Sequence, residues 1–159
     1  MKRTVAILLA VTLAAPAAHA GMSPEEARAA VASFYKALNA EFAKDSPDLI
    51  RQVTTPDWAS CRGNDACNTR DEVIAAVGAR LKSVPDLKWQ IKDVMVSGDQ
   101  VIVRGEATGT PAGEFFGAPA SGKSFRVMSI DVHTIEGGKM VRSYHIEDWI
   151  GAGRQLGGN

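Results

Sequence analysis

The hydrophobic period of this chain changes once, at Pro85, and that change limits what it can fold into. Before Pro85 the apolar residues recur at spacings of three and four; after it they alternate. Ala27, Ala30, Val31, Phe34, Leu38 and Phe42 form one face of a long helix expected to run to about Lys44. Ser23-Pro24-Glu25-Glu26 starts it with a cap, a proline at the first helical position and a capping-box glutamate. Ser46-Pro47 opens a short second helix with Leu49, Ile50 and Val53, which Pro56-Asp57-Trp58 is expected to end. Thr69-Arg70-Asp71-Glu72 is another capping box, for a third helix carrying Val73, Ile74, Val77 and Leu81.

Beyond Pro85, Leu87, Trp89 and Ile91 alternate with Lys88, Gln90 and Lys92, as in a half-buried strand. Ser97-Gly98-Asp99 is a turn, and Val101-Ile102-Val103 begins the next strand. Thr110 to Gly122 is rich in Pro and Gly and reads as a long loop. Two more strands are expected near Ser124–Ile135 and Met140–Asp148, joined by the hairpin signal Gly137-Gly138. Helices followed by a mostly antiparallel sheet predict an α+β fold, with residues 21–159 as one domain.

The first twenty residues are set aside as a signal peptide. Lys2 and Arg3 precede an apolar run from Thr4 to Ala15, and Ala18-His19-Ala20 supplies the small residues of a cleavage site. The run falls short of the roughly 20 apolar residues that span a bilayer. The expected location is periplasmic, with no membrane attachment after cleavage. With 18 Lys+Arg against 18 Asp+Glu and no basic block, nucleic acid is not an expected partner. In an oxidising compartment Cys61 and Cys67, which bracket a polar loop, are expected to form a disulfide. C-x5-C without companion cysteines is not a usual zinc spacing, so no metal site is expected, and a catalytic Cys–His pair is the lesser alternative. Phosphate-binding, dinucleotide-binding and serine-elbow motifs are absent from the sequence.

Several stretches in order resemble the SnoaL-like polyketide cyclase family, whose members are often labelled ester cyclases. They are P-D-L-K-W at Pro85, D-Q-V-I-V-R at Asp99, G-E-F-F-G-A-P-A-S-G-K at Gly113, G-G-K-M-V at Gly137, Asp148, and R-Q-L-G at Arg154. The resemblance implies a nuclear transport factor 2-like cone: a curved antiparallel sheet wrapped against helices around an internal pocket, often dimerising through the open sheet face. It also implies acid–base chemistry without a cofactor on a small hydrophobic carbonyl compound. Asp148 matches the family's acid–base aspartate, and His133 is the best match for an assisting histidine on the neighbouring strand.

A two-residue hairpin at Gly137-Gly138 pairs Glu136 with Lys139 and, continued without interruption, Asp131 with Tyr144 and Val127 with Asp148. Asp131, His133, Tyr144, Ile146 and Asp148 then share a face, and Tyr144 is a candidate donor to an oxyanion. His145 falls on the opposite face but is kept as a candidate lining residue, with Phe34 and Trp58. A one-residue bulge would reassign the faces. Asp148 has a second reading as the cap of a helix beginning at Trp149. The expected function is an exported cyclase- or isomerase-type enzyme; the alternative is a non-catalytic periplasmic module that binds a small molecule in the same pocket.

Overall fold

A computed structural model describes residues 22–158, so the expected signal peptide at 1–20 lies outside the described residues. The α+β architecture is as expected. Helix α1 (Pro24–Ala37) begins with the reciprocal box: Ser23 Oγ accepts from the Glu26 amide, and Glu26 Oε2 accepts from the Ser23 amide at 2.8 Å. It stops at Ala37, well before Lys44. Buried Asn39 explains the stop, because its Nδ2 donates to the Tyr35 carbonyl at 2.7 Å while its Oδ1 accepts from the Trp89 amide at 2.8 Å. One side chain thus seals a helix end and anchors the first strand after Pro85. A 3-10 turn, Ala40–Phe42, carries the chain on to α2 (Ser46–Val53).

The next two strands, β1 (Thr54–Cys61) and β2 (Cys67–Thr69), stand where a helix end and a loop were expected. Strand β1 has no clean alternation to announce it: Pro56 lacks an amide hydrogen, and its pairing register shifts between Thr54 and Ala59. Helix α3 (Arg70–Ser83) follows its capping box. Then come β3 (Lys88–Ser97), β4 (Gln100–Gly109), β5 (Phe125–Glu136), β6 (Lys139–Glu147) and α4 (Trp149–Leu156). The six strands form one sheet in the order β2-β1-β6-β5-β4-β3, antiparallel throughout except for the parallel pair β1 and β6. Among the described residues no helix is long and apolar enough to cross a membrane.

The inner face of β5 sets the layout. Phe125 and Val127 belong to one apolar cluster, with Leu81, Val84, Leu87, Ala107, Phe115 and Leu156. Ile135 belongs to a second, with Val31, Phe34, Ile50, Trp58, Val101, Val103 and Met140. Between them the same face carries buried Ser129, Asp131 and His133. Polar groups at the middle of an otherwise apolar strand face need partners, and those partners make the site.

The β5–β6 hairpin turns on Gly137 and Gly138, both at positive φ (55° and 76°), the backbone that a two-residue turn of this kind demands. Glu136 pairs with Lys139 as expected. The uninterrupted register does not continue, however. Ile135 pairs with Met140 and Thr134 with Arg142, so Val141 is an extra residue and every later side chain of β6 changes face. His133 therefore sits opposite Ser143, and Asp131 opposite His145.

Cys61 and Cys67 are cross-strand partners joined by a disulfide that closes the β1–β2 hairpin. Short-loop closure in the unfolded chain is worth roughly 2 kcal/mol. A Cys61→Ala/Cys67→Ala variant should therefore show an unfolding free energy lower by about that amount in chemical denaturation. Wild type treated with reductant should match it.

Candidate functional site

A cavity of about 140 Å³ lies between α1, α3 and the inner sheet face. Its walls include Phe34 and Leu38 from α1, and Val73, Ala76, Val77 and Arg80 from one face of α3. Leu87, Trp89 and Trp149 add apolar surface, while Asp131, His133, Ser143, His145 and Glu147 supply polar groups from β5 and β6. Ser60, Arg62 and Asn68, from the disulfide-closed hairpin and the strands it joins, complete it.

A buried hydrogen-bond chain runs beneath this cavity. Trp58 Nε1 donates to Ser143 Oγ at 2.9 Å, Ser143 Oγ lies 2.7 Å from His133 Nδ1, and His133 Nε2 lies 3.2 Å from the Tyr35 hydroxyl. Burial raises the pKa of the Tyr35 phenol, Asp131 lies close enough for its charge to raise it further, and the Asp131 carboxylate accepts from Ser129 Oγ at 3.0 Å. Donor bookkeeping assigns the protons. If Tyr35 donates to the Asp131 carboxylate, its oxygen must accept from His133 Nε2–H, leaving Nδ1 to accept from Ser143. His133 is fully buried, and burial lowers its pKa to about 3, with the nearby His145 adding to the effect. It is a neutral, positioning imidazole.

Asp131 differs. Burial first, and then repulsion from Glu147, raise its pKa to about 6, against the lowering effect of the Tyr35 and Ser129 hydrogen bonds. His145 Nδ1 lies 2.7 Å from Glu147 Oε1, and Glu147 Oε2 accepts from Trp149 Nε1 at 3.1 Å. Burial opposes charge on His145, but the Glu147 hydrogen bond and charge prevail, so its pKa is raised. Asp131, His145 and Glu147 place one ligating atom each within 4.8 Å of one another, a spacing that could also hold a cation. In the structure His145 and Glu147 are committed to each other. The arrangement is a carboxylate poised to lose or gain a proton near pH 6 beside an imidazolium that holds its own.

The expected site residues divide by face. His133, Asp131, His145 and Phe34 line the cavity. Trp58 lies behind it, packed edge-on against Phe34 with ring centroids 5.7 Å apart. Tyr144, Ile146 and Asp148 do not join them. The bulge at Val141 turns Tyr144 (41% exposed) and Ile146 (70% exposed) to the outer sheet face. Exposed Asp148 caps α4, its Oδ1 accepting from the Gly151 amide at 2.8 Å. The physical reason is steric and electrostatic. The uninterrupted register would press Arg142 against His133, burying a guanidinium, whereas Ser143 fits there and bonds both His133 and Trp58. Glu147, Ser143, Tyr35 and Arg80 were not anticipated. The one signal for the first was the i, i+2 spacing of His145 and Glu147 on a strand.

A family model described as SnoaL-like polyketide cyclase matches residues 29–156. No curated protein matches the sequence. Among solved structures, IdmH from Streptomyces antibioticus is 23% identical with a TM-score of 0.71, over 82% of this chain and 98% of that one. TsrD from Streptomyces laurentii is 29% identical with a TM-score of 0.67, over 82% and 96%. A SnoaL-like polyketide cyclase from Agrobacterium tumefaciens is 15% identical with a TM-score of 0.67, over 82% and 98%.

The two shifted groups act oppositely on stability. Keeping His133 neutral contributes fully above its unfolded pKa of about 6.5, and that contribution is lost as pH falls towards 3. Asp131, raised to about 6, contributes fully below its unfolded value of about 3.9, and that contribution is lost as pH rises through 6. Between about pH 6 and 4 the two offset each other. Asp131→Asn should remove the offset, adding a loss of about 1 kcal/mol per pH unit on acidification relative to wild type. Denaturant midpoints measured across that range check this.

Proposed function

The chain belongs to the SnoaL-like polyketide cyclase family, and on that premise we propose that it is an exported enzyme using acid–base chemistry on a small hydrophobic carbonyl compound. The observation that carries the reading is the meeting of Asp131 with the His145–Glu147 pair on the wall of a largely apolar cavity. Asp131 takes a proton from the carbon next to a carbonyl, and the His145 imidazolium hydrogen-bonds the enolate oxygen that forms. In an intramolecular aldol closure the enolate carbon then bonds to a second carbonyl carbon of the same molecule. His145 gives its proton to the new alkoxide, and the proton on Asp131 passes to His145 to restore both groups. Isomerisation or dehydration would use the same pair. Acid and base both come from the chain itself, so the proposed chemistry requires no cofactor.

His133 and Tyr35 hold Asp131 in place, and Asp148 stays with the cap of α4. Periplasmic export is part of the proposal, resting on the leader sequence and consistent with the disulfide. So is pairing with a second copy through the outer sheet face, where Met128, Tyr144 and Ile146 are exposed on the adjacent strands β5 and β6, and Met95 on β3 beyond β4.

A non-catalytic binding module is the second reading, favoured by the predominance of apolar surface in the wall. Untargeted mass spectrometry of a cell extract incubated with the protein separates the two. Wild type and Asp148→Asn should both convert a compound, since Asn caps as well as Asp; Asp131→Asn and His145→Gln should be slower by about 10²-fold or more. Conversion lost in Asp148→Asn but kept in Asp131→Asn would overturn the assignment. Ligand retained by every variant with nothing converted would favour the binding module. The rate should rise as pH passes about 6, where Asp131 ionises, and fall again once His145 loses its proton above its ordinary value.

A further inference from the structure

Arg80 is the cavity residue that the proposed chemistry leaves unused. It projects from the last turn of α3, on the face that also carries Val73, Ala76 and Val77 into the cavity. Three aromatic rings surround its guanidinium: Phe115 at 5.0 Å, Phe116 at 4.9 Å and Trp149 at 4.6 Å. Such rings cover the flat faces of a guanidinium and leave its N–H edge free to recognise something. Among the described residues Arg80 has no carboxylate within ion-pair distance and no side-chain hydrogen bond, although it is only partly exposed.

The surrounding box is built at a cost. Phe116 sits at φ 48°, a left-handed backbone that a bulky residue seldom adopts, and its ring stacks on Trp149 at 5.3 Å with planes 3° apart. Arg62 lines the same cavity from the disulfide-closed hairpin, and it too has no carboxylate partner among the described residues. The two guanidiniums are close enough to repel, although the Glu147 charge acts more strongly on Arg80 than Arg62 does, and Arg62 also repels His145. Of the two acidic side chains in the wall, Glu147 is engaged by His145 and Trp149, and Asp131 by Ser129.

We propose that Arg80, with Arg62, forms a carboxylate-binding subsite at this cavity, so that the preferred ligand is an apolar compound bearing a free carboxylate. The inference rests on reading the cavity as the ligand pocket. A carboxylate fits because it is planar and matches the guanidinium edge with two parallel hydrogen bonds. It would also offset the repulsion between the Arg80 and Arg62 guanidiniums, while the apolar remainder lies along Phe34, Leu38, Val77 and Trp89.

The test uses trans-cinnamate and its methyl ester, which share an apolar body and differ in charge. Binding to the mature protein is followed by calorimetry at about pH 7.5 and low salt, for wild type, Arg80→Gln, Arg80→Lys and Arg62→Gln. Wild type should prefer the acid by on the order of 10-fold or more, and added salt should erode that preference. Arg80→Gln should bring the ratio near one while ester affinity stays within about 3-fold, Arg80→Lys should restore part of the preference, and Arg62→Gln should reduce it. Arg62 lies on an exposed hairpin, so its variant keeps the test open should Arg80→Gln fold poorly. Ester binding equal to acid binding in wild type, or an acid preference that survives both glutamine variants, overturns the subsite and leaves the pocket reading standing. No binding of either probe overturns the pocket reading and the subsite together.

Discussion

The buried hydrogen-bond chain from Trp58 through Ser143 and His133 to Tyr35, with Asp131 beside its end, is the constraint on which this structure depends. It joins β1, β6, β5 and α1 through buried side chains, where each polar group left without a partner would cost about 1–3 kcal/mol. The links can all donate in one direction, towards the phenol that Asp131 faces. Removing a middle member leaves its neighbours unsatisfied on both sides, so the chain fixes not only the site but how the helix layer sits on the sheet.

A single inserted residue in β6 determines which side chains complete that chain. Val141 shifts the strand by one position, bringing Ser143, His145 and Glu147 inward and sending Tyr144 and Ile146 out. The inward set is polar and hydrogen-bonded, Ser143 to His133 and Trp58 and His145 to Glu147; the outward set is large and apolar. One bulge therefore produces both the polar wall of the cavity and the apolar outer patch.

The two apolar clusters flank the polar stretch of β5 and give it a rigid frame. Their contribution to function is positional. The cluster around Phe125 and Leu156 carries the aromatic box, with Phe115 stacked on Phe125 at 5.3 Å and edge-on to Trp149 at 5.8 Å. The strained backbone at Phe116 persists because that packing holds the loop in place. Glycine contributes on the other side: a Cβ at Gly105 would lie 2.5 Å from Ser129 Oγ, so its absence leaves room for the hydroxyl that bonds Asp131.

Periodicity and capping residues alone determined the helices α1 to α3 apart from the end of α1, the strands β3 to β6, the glycine hairpin and the α+β class, because those signals are local and each is repeated several times. His133 and the cysteine pair were legible because their residue types are rare in this chain, and Asp131 because its place on the same strand face as His133 followed from the pattern. Strands β1 and β2 were not legible, since an edge hairpin interrupted by proline has no period of its own. The functional face of β6 was decided only in three dimensions. A bulge leaves no mark in the alternation of side chains; it is chosen by whether Ser143 or Arg142 can be buried against His133 and Trp58, residues distant in sequence. Likewise Asp148 and Glu147 are adjacent acids of similar chemistry, and only the tertiary fold gave one to a helix cap and the other to an imidazole inside the cavity.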